Sequence, residues 1–229
     1  MRLGLGQSLR ASTLLGTSTP NESPYDITVI TNANGTTVNH DITSIPVEWQ
    51  YNKGSTAVSV FIGDKVTTVG DLAFSGVSGI TSITTTGNSV LSSLGIYAFE
   101  STSITNFIIR NSVTSIGDGA FNSCSALTSV TIGSGVTNIG IYGFGFCSGL
   151  TSVTIPDNVI SIGSYAFQSC TALNNLNCYV SKTILNDSVN GLLNTASPFT
   201  IHAKSGDTSW ATGSTTVAGK TVTVIKDLA

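Results

Sequence analysis

Charge is scarce in this sequence. Of its 229 residues only 9% are Asp, Glu, Lys or Arg, against roughly 25% in an average soluble domain. Hydrophobic residues reach 40%, so the shortage of charge does not signal disorder, which combines high charge with few hydrophobes. Nine basic residues against twelve acidic ones leave a net charge of −3. They form no basic stripe, which argues against a nucleic-acid binder. Long apolar runs are also missing: nothing approaches the roughly 20 residues of a membrane helix. Histidine occurs only as His40 and His202, and nowhere between residues 66 and 179. That span therefore lacks the base that a Ser–His or Cys–His nucleophile needs. Between Arg110 and Lys182 there is no basic residue, and the only acids are Asp118 and Asp157.

Cysteine is present but not in a metal-binding pattern. Cys124, Cys147 and Cys170 follow one another at intervals of 23 residues, a repeat period and not a ligand spacing. A row of thiols without histidine is a poor zinc site. It reads as a column of small buried residues, since free cysteine is among the most buried types. Cys178 falls on a strand instead. Residues 213–221 approach the phosphate-loop motif, but five residues separate Gly213 from Gly219 where the motif needs four. A turn in a terminal hairpin fits better. No cofactor or metal is expected.

What the sequence does hold is a repeat. Residues 113–121 read VTSIGDGAF, 136–144 read VTNIGIYGF and 159–167 read VISIGSYAF. VTTVGDLAF at 66–74 and LSSLGIYAF at 91–99 are weaker copies. Each is followed by a second segment, LTSVTI at 127–132 and again at 150–155. Its last residues alternate apolar and polar, which predicts a short strand with one buried face. The expected buried set is Leu127, Val130 and Ile132, then Leu150, Val153 and Ile155. A unit of 23 residues cannot bury its own apolar face, but stacked copies cover one another. About five coils at a strand spacing near 4.8 Å would extend roughly 24 Å.

The run VTSIGDGAFNSCSALTSVTI at 113–132, with Pro156 closing the next copy, resembles the BspA-type leucine-rich repeat. The resemblance implies a curved solenoid with a strand face and a loop-rich face. It also implies adhesion or recognition as the activity, with no catalytic residues in the repeats. Two copies depart from the pattern. ESTS at 100–103 is one residue short, and the cysteine position is Thr102 there and Val77 in the first copy.

The whole is expected to be mainly β. Residues 66–182 would form the solenoid and residues 25–65 a β-rich first cap, with Asn34-Gly35 as a hairpin turn and Trp49, Tyr51 and Phe61 covering the first coil. Residues 183–229 would form the second cap, with a short helix over 184–194 and strands at 199–203 and 221–225. Residues 1–24 are rich in Gly, Ser and Thr and are expected to be a flexible arm. Their opening, MRLGLGQSLR, lacks the apolar core of a secretory signal. It resembles, more weakly, the N-terminal arms of phage virion proteins. Arg2, Leu3, Leu5, Leu9, Arg10, Leu14 and Leu15 are the residues by which such an arm would anchor to other virion proteins.

The candidate binding face is the outward side of the strands: Asn106, Ile108 and Arg110, then Ser129 and Thr131, Ser152 and Thr154, and Asn175, Asn177 and Tyr179. This neutral stripe suits hydrogen bonding to a host surface protein or glycan. The plainer reading is that Ser and Thr simply suit exposed strand positions. The function expected from these features is a non-enzymatic phage virion protein, a head or tail decoration or fibre-like module, possible as a homo-oligomer. The alternative is a cellular BspA-type adhesin, secreted or on the surface, binding protein or carbohydrate.

Overall fold

The computed structural model describes residues 28–32, 37–40, 44–45, 57–187, 192, 194–218 and 220–229. The arm at 1–24, Asn34-Gly35, Trp49 and Tyr51 lie outside the described residues. The chain begins with a hairpin of β1 (Thr28–Asn32) and β2 (Thr37–His40). Six coils follow, each with a short strand and a longer one. They are β3 (Ser44–Ile45) with β4 (Ala57–Ile62), β5 (Thr68–Val69) with β6 (Ser82–Thr85), and β7 (Ser93–Leu94) with β8 (Asn106–Ile109). Next come β9 (Ser115–Ile116) with β10 (Ser129–Ile132), β11 (Asn138–Ile139) with β12 (Ser152–Ile155), and β13 (Ser161–Ile162) with β14 (Asn175–Cys178). A seventh turn is made by α1 (Lys182–Asp187) and β15 (Thr200–Lys204). The chain ends on the hairpin β16 (Gly213–Val217) and β17 (Lys220–Leu228).

The protein is a β-solenoid of about seven turns, not five. The additional early coil lies inside the region read as the first cap. There β3 pairs in parallel with β5, and β4 with β6. Of the helix expected over 184–194, the part at 184–187 lies within α1, Lys182–Asp187, and residues 188–191 and 193 lie outside the described residues.

The short strands stack into one six-stranded parallel sheet, β3 to β13. The long strands divide into two sheets. One runs β2-β1-β4-β6 and the other β8-β10-β12-β14-β15-β17-β16. The near-miss phosphate motif lies in the β16–β17 hairpin of the second sheet.

One column of rings runs through the core. Phe74, Phe99, Phe121, Phe144 and Phe167 stack with centroids 5.2–5.5 Å apart, each from its own coil and each buried. Phe107 tilts against both Phe99 and Phe121. Phe121, Phe144 and Phe167 keep a strict interval of 23 residues, while Phe74 to Phe99 is 25 and Phe99 to Phe121 is 22, and each interval is one coil. The expected buried set, Leu127 to Ile155, is buried throughout.

Glycine follows every short strand from β5 to β13, and the cause is steric. A Cβ on Gly117 would stand 2.6 Å from the carbonyl carbon of Gly95, and one on Gly140 2.5 Å from the amide nitrogen of Asp118. Backbone packs on backbone here, so no side chain fits. The coil edges are tied by hydroxyls. Thr114 donates to Ser92 O and Thr137 to Thr114 O, while on the other edge Thr128 donates to Thr105 O and Thr151 to Thr128 O. These bonds explain why Thr recurs at exposed positions that contribute nothing to the core.

The cysteine column is buried, as its spacing implied. Desolvation pushes the Cys124 thiol up to about 11 and the Cys178 thiol up to about 12. Cys147 is also pushed well above its ordinary value, by its contact with Cys170 and by burial. Such thiols are protonated packing groups, not nucleophiles.

Candidate functional site

The outward residues of the long strands form two rows. Register alone sets the first: Asn106 beside Ser129, Ser129 beside Ser152, Ser152 beside Asn175, and Asn175 beside Thr200. The second runs Ile108 beside Thr131, Thr154 beside Asn177, and Asn177 beside His202. Asn106, Ile108, Ser129, Thr131, Ser152 and Thr154 are exposed, while Arg110, Asn175, Asn177 and Tyr179 are half-buried. The strand registers thus bring eight of the ten candidates to one side of the solenoid, while Arg110 and Tyr179 directly follow β8 and β14. The anchoring candidates Arg2, Leu3, Leu5, Leu9, Arg10, Leu14 and Leu15 lie outside the described residues.

The face extends further than its sequence signal. β15 and β17 continue the parallel ladder and add Thr200, His202, Thr223 and Ile225 to the two rows. His202 Nδ1 meets Asp227 Oδ2 at 2.7 Å. From the sequence His202 was a polar residue in a cap. The apolar alternation of FTIHA was the signal that it stood on a strand, but nothing in the sequence paired that strand with β14. On the other side, Phe61 lies in register with Thr84 and is half-buried. The first-cap role expected of Phe61 is thus a place on the strand side of the first coil.

Hydrogen bonding on the face is sparse. Asn177 Nδ2 donates to Thr154 Oγ1 at 3.2 Å, and Asn106 Nδ2 to Thr105 Oγ1 at 3.3 Å. Asn175 Oδ1 is buried without a partner. Donors and acceptors on the rows are therefore available to a ligand, and none carries charge from Ser129 to Asn177.

Arg110 is the exception, and it stands where the long-strand surface is interrupted. β6 and β8 are neighbours but belong to different sheets. The loop after β6 spans residues 86–92, whereas those after β8, β10 and β12 span 110–114, 133–137 and 156–160. That loop is two residues longer than its equivalents. Across the seam, Arg110 Nε donates to Thr85 Oγ1 at 3.0 Å and Nη2 to Thr85 O at 2.9 Å. The side chain thus satisfies a carbonyl that an unbroken ladder would have paired with a strand amide.

Among the described residues no group of three His, Cys, Asp or Glu is placed to hold a metal ion. The pairing of His202 with Asp227 has no nucleophile beside it in the register: its neighbours are Asn177 and Ile225.

The model of the BspA type leucine-rich repeat region matches residues 43–174 in six copies. The chain belongs to this family. The match begins at residue 43, beside β3 (Ser44–Ile45) and upstream of the copy at 66–74. A leucine-rich repeat protein from Bacteroides ovatus has a similar structure, with a TM-score of 0.55 at 21% identity over 78% of this chain and 53% of that one. The pneumococcal vaccine antigen PcpA is similar at a TM-score of 0.51 and 22% identity, over 66% of this chain and 39% of that one. This BspA-type chain thus spans about half of the first relative and two-fifths of the second. No curated protein matches the sequence.

Proposed function

We propose that this protein is a non-enzymatic recognition module that offers the outward side of its long strands to a partner. The observation that carries the reading is that face: two aligned rows of neutral hydrogen-bonding side chains, repeated from β8 to β15, with apolar Ile108 and Ile225 at intervals. A rigid stacked scaffold holds such groups in fixed positions, which lowers the entropic cost of binding. The resemblance of the repeats to adhesion and recognition proteins supports the same reading.

Two carriers are proposed. The family favours display at a cell surface or secretion, with the strand face as an adhesin surface for protein or carbohydrate. The composition of residues 1–24 favours attachment to a phage particle, with the arm contacting other virion proteins and the solenoid directed to the host surface. Peptide mass spectrometry of density-purified particles, compared with the secreted and cell-surface fractions, separates them. Stoichiometric recovery in particles supports the virion carrier. Recovery only in the secreted or surface fraction overturns it and leaves the adhesin. Recovery of the chain in the cytosolic fraction alone contradicts both.

A further inference from the structure

The ligand class of the strand face is most legible at the seam between β6 and β8. The guanidinium of Arg110 presents five N–H donors in a planar fork. Thr85 takes the edge formed by Nε and Nη2. The other edge, between the two terminal nitrogens, has no partner among the described residues, and no carboxylate there forms an ion pair with Arg110. A half-buried cation that keeps one fork edge free is pre-oriented for a bidentate acceptor.

The surroundings leave room for one. Beside Arg110 lies a shallow cavity of about 380 Å³, lined by Gly87, Ser89, Ile108, Ser112 and Gly133 among others. Two features keep it open. The long loop after β6 supplies Gly87, which has no side chain, and Ser89 to the lining. Gly133 follows the next strand, and a Cβ on it would stand 2.5 Å from the Arg110 carbonyl carbon, so packing of the coils forbids a side chain there. Ser112 Oγ, in the cavity lining, is buried without a hydrogen-bond partner. Ile108 lies in the same wall and is 49% exposed.

We propose that Arg110, Ile108 and this cavity form an anchoring site for a peptide carboxylate with an aliphatic side chain next to it. The inference rests on the recognition reading above and names its ligand class. One cation matches one carboxylate better than a phosphate, whose charge approaches two. Among the described residues no aromatic ring lines the cavity, so they offer no flat apolar platform on which a sugar ring would stack. The exposed aliphatic Ile108 suits Leu or Val instead. The carboxylate takes the free fork edge, and the aliphatic group covers Ile108.

The test is a titration of the isotopically labelled full chain followed by NMR. The probes are acetyl-Leu-Glu-amide, its neutral twin acetyl-Leu-Gln-amide, acetyl-Gly-Glu-amide and glucuronate. Acetyl-Leu-Glu-amide is expected to shift the Arg110 Nε–H and Ile108 methyl signals saturably, and the neutral twin to bind about tenfold more weakly. Arg110→Gln should erase that difference. Ile108→Thr, which installs the residue found at Thr131 and Thr154, should weaken the Leu peptide but not the Gly peptide. Because Ile108 is exposed, that variant keeps the test valid if Arg110→Gln loosens the seam. Equal binding of the acidic and neutral twins, or a preference that survives Arg110→Gln, overturns the carboxylate site. Glucuronate binding as tightly as the Leu-Glu peptide overturns the peptide assignment. None of these results touches where the protein is carried, so failure here is distinguishable from failure of the recognition reading.

Discussion

The thiol of Cys147 donates to the carbonyl oxygen of Phe121, 3.1 Å away in the preceding coil. Cys124 makes the same bond to Phe99, and Cys170 to Phe144. Cysteine suits this column because it is small, packs as an apolar group and carries one weak donor for one buried carbonyl. In the shortened coil Thr102 takes the position. Its hydroxyl donates to Phe99 O within its own coil and lies 3.4 Å from Cys124 Sγ. Cys147→Ala should therefore cost about 1–2 kcal/mol, from the lost thiol bond and lost packing, the Phe121 carbonyl keeping the Cys124 N–H at 3.2 Å. Urea unfolding of the variant measures it.

The buried thiols also set a pH limit. Cys124 and Cys178 titrate at about 11 and 12 in the folded chain, against an ordinary value of 9.0. Because the folded values are raised, the unfolded chain loses thiol protons first as pH rises. Their stabilising contribution is complete below pH 9 and is lost progressively toward pH 11–12. The midpoint of denaturant unfolding should fall across that window, and less steeply in Cys124→Ala. At pH 8 the native protein should not react with a thiol reagent that labels it fully in denaturant.

The ring column places one buried phenylalanine in each of five successive coils. Phe121 stacks on Phe99 and Phe144 and also touches Phe107. Phe121→Ala should cost about 3–5 kcal/mol, read as a lowered thermal midpoint. Truncation of Phe167, which stacks on Phe144 alone among the described rings, should cost less in Phe167→Ala.

Turn strain predicts opposite signs at two neighbouring positions. Ser123 has φ of 59°, a left-handed conformation that costs an L-residue about 1 kcal/mol, and Gly76 holds the matching place two residues after Phe74. Ser123→Gly should be neutral to stabilising by up to about 1 kcal/mol, since added freedom in the unfolded chain offsets part of the relief. Gly119 has φ of 60°, and a Cβ on it would stand 2.2 Å from the Tyr97 ring. Gly119→Ala should destabilise. Thermal unfolding of the two variants side by side checks the pair.

Much of this architecture was legible because one apolar code repeats. Phe at fixed spacing gave the coils, and the alternation in LTSVTI gave their buried faces. The first coil escaped because its code is broken. Ile42-Thr-Ser-Ile45 does match the Val-Thr-Ser-Ile of later coils, but Pro46 replaces the glycine and no Phe follows at the usual distance. The last strands escaped for a different reason. FTIHA and TVTVI read as strands, but the partner of a strand outside a repeat depends on contacts the sequence does not encode locally.

The site was legible only in part. Alternation placed eight of the ten face residues, because period two decides which side chains point out. It could not show Arg110 held by Thr85, a contact between coils of unequal length. That seam arises from the longer loop at 86–92 and the shortened ESTS segment, irregularities visible in the sequence whose effect exists only once the coils are stacked.

The most direct test of the account asks which face recognises. Two charge-bearing variants of the full chain are compared for retention on intact cells and particles of the source culture. Thr131→Lys with Thr154→Lys alters the long-strand face, and Asn138→Lys with Ser161→Lys alters the short-strand face, all four positions being partly or fully exposed. With circular dichroism unchanged in both, the account expects the first variant to lose retention and the second to keep it. Retention unaffected by the first variant and abolished by the second would contradict it.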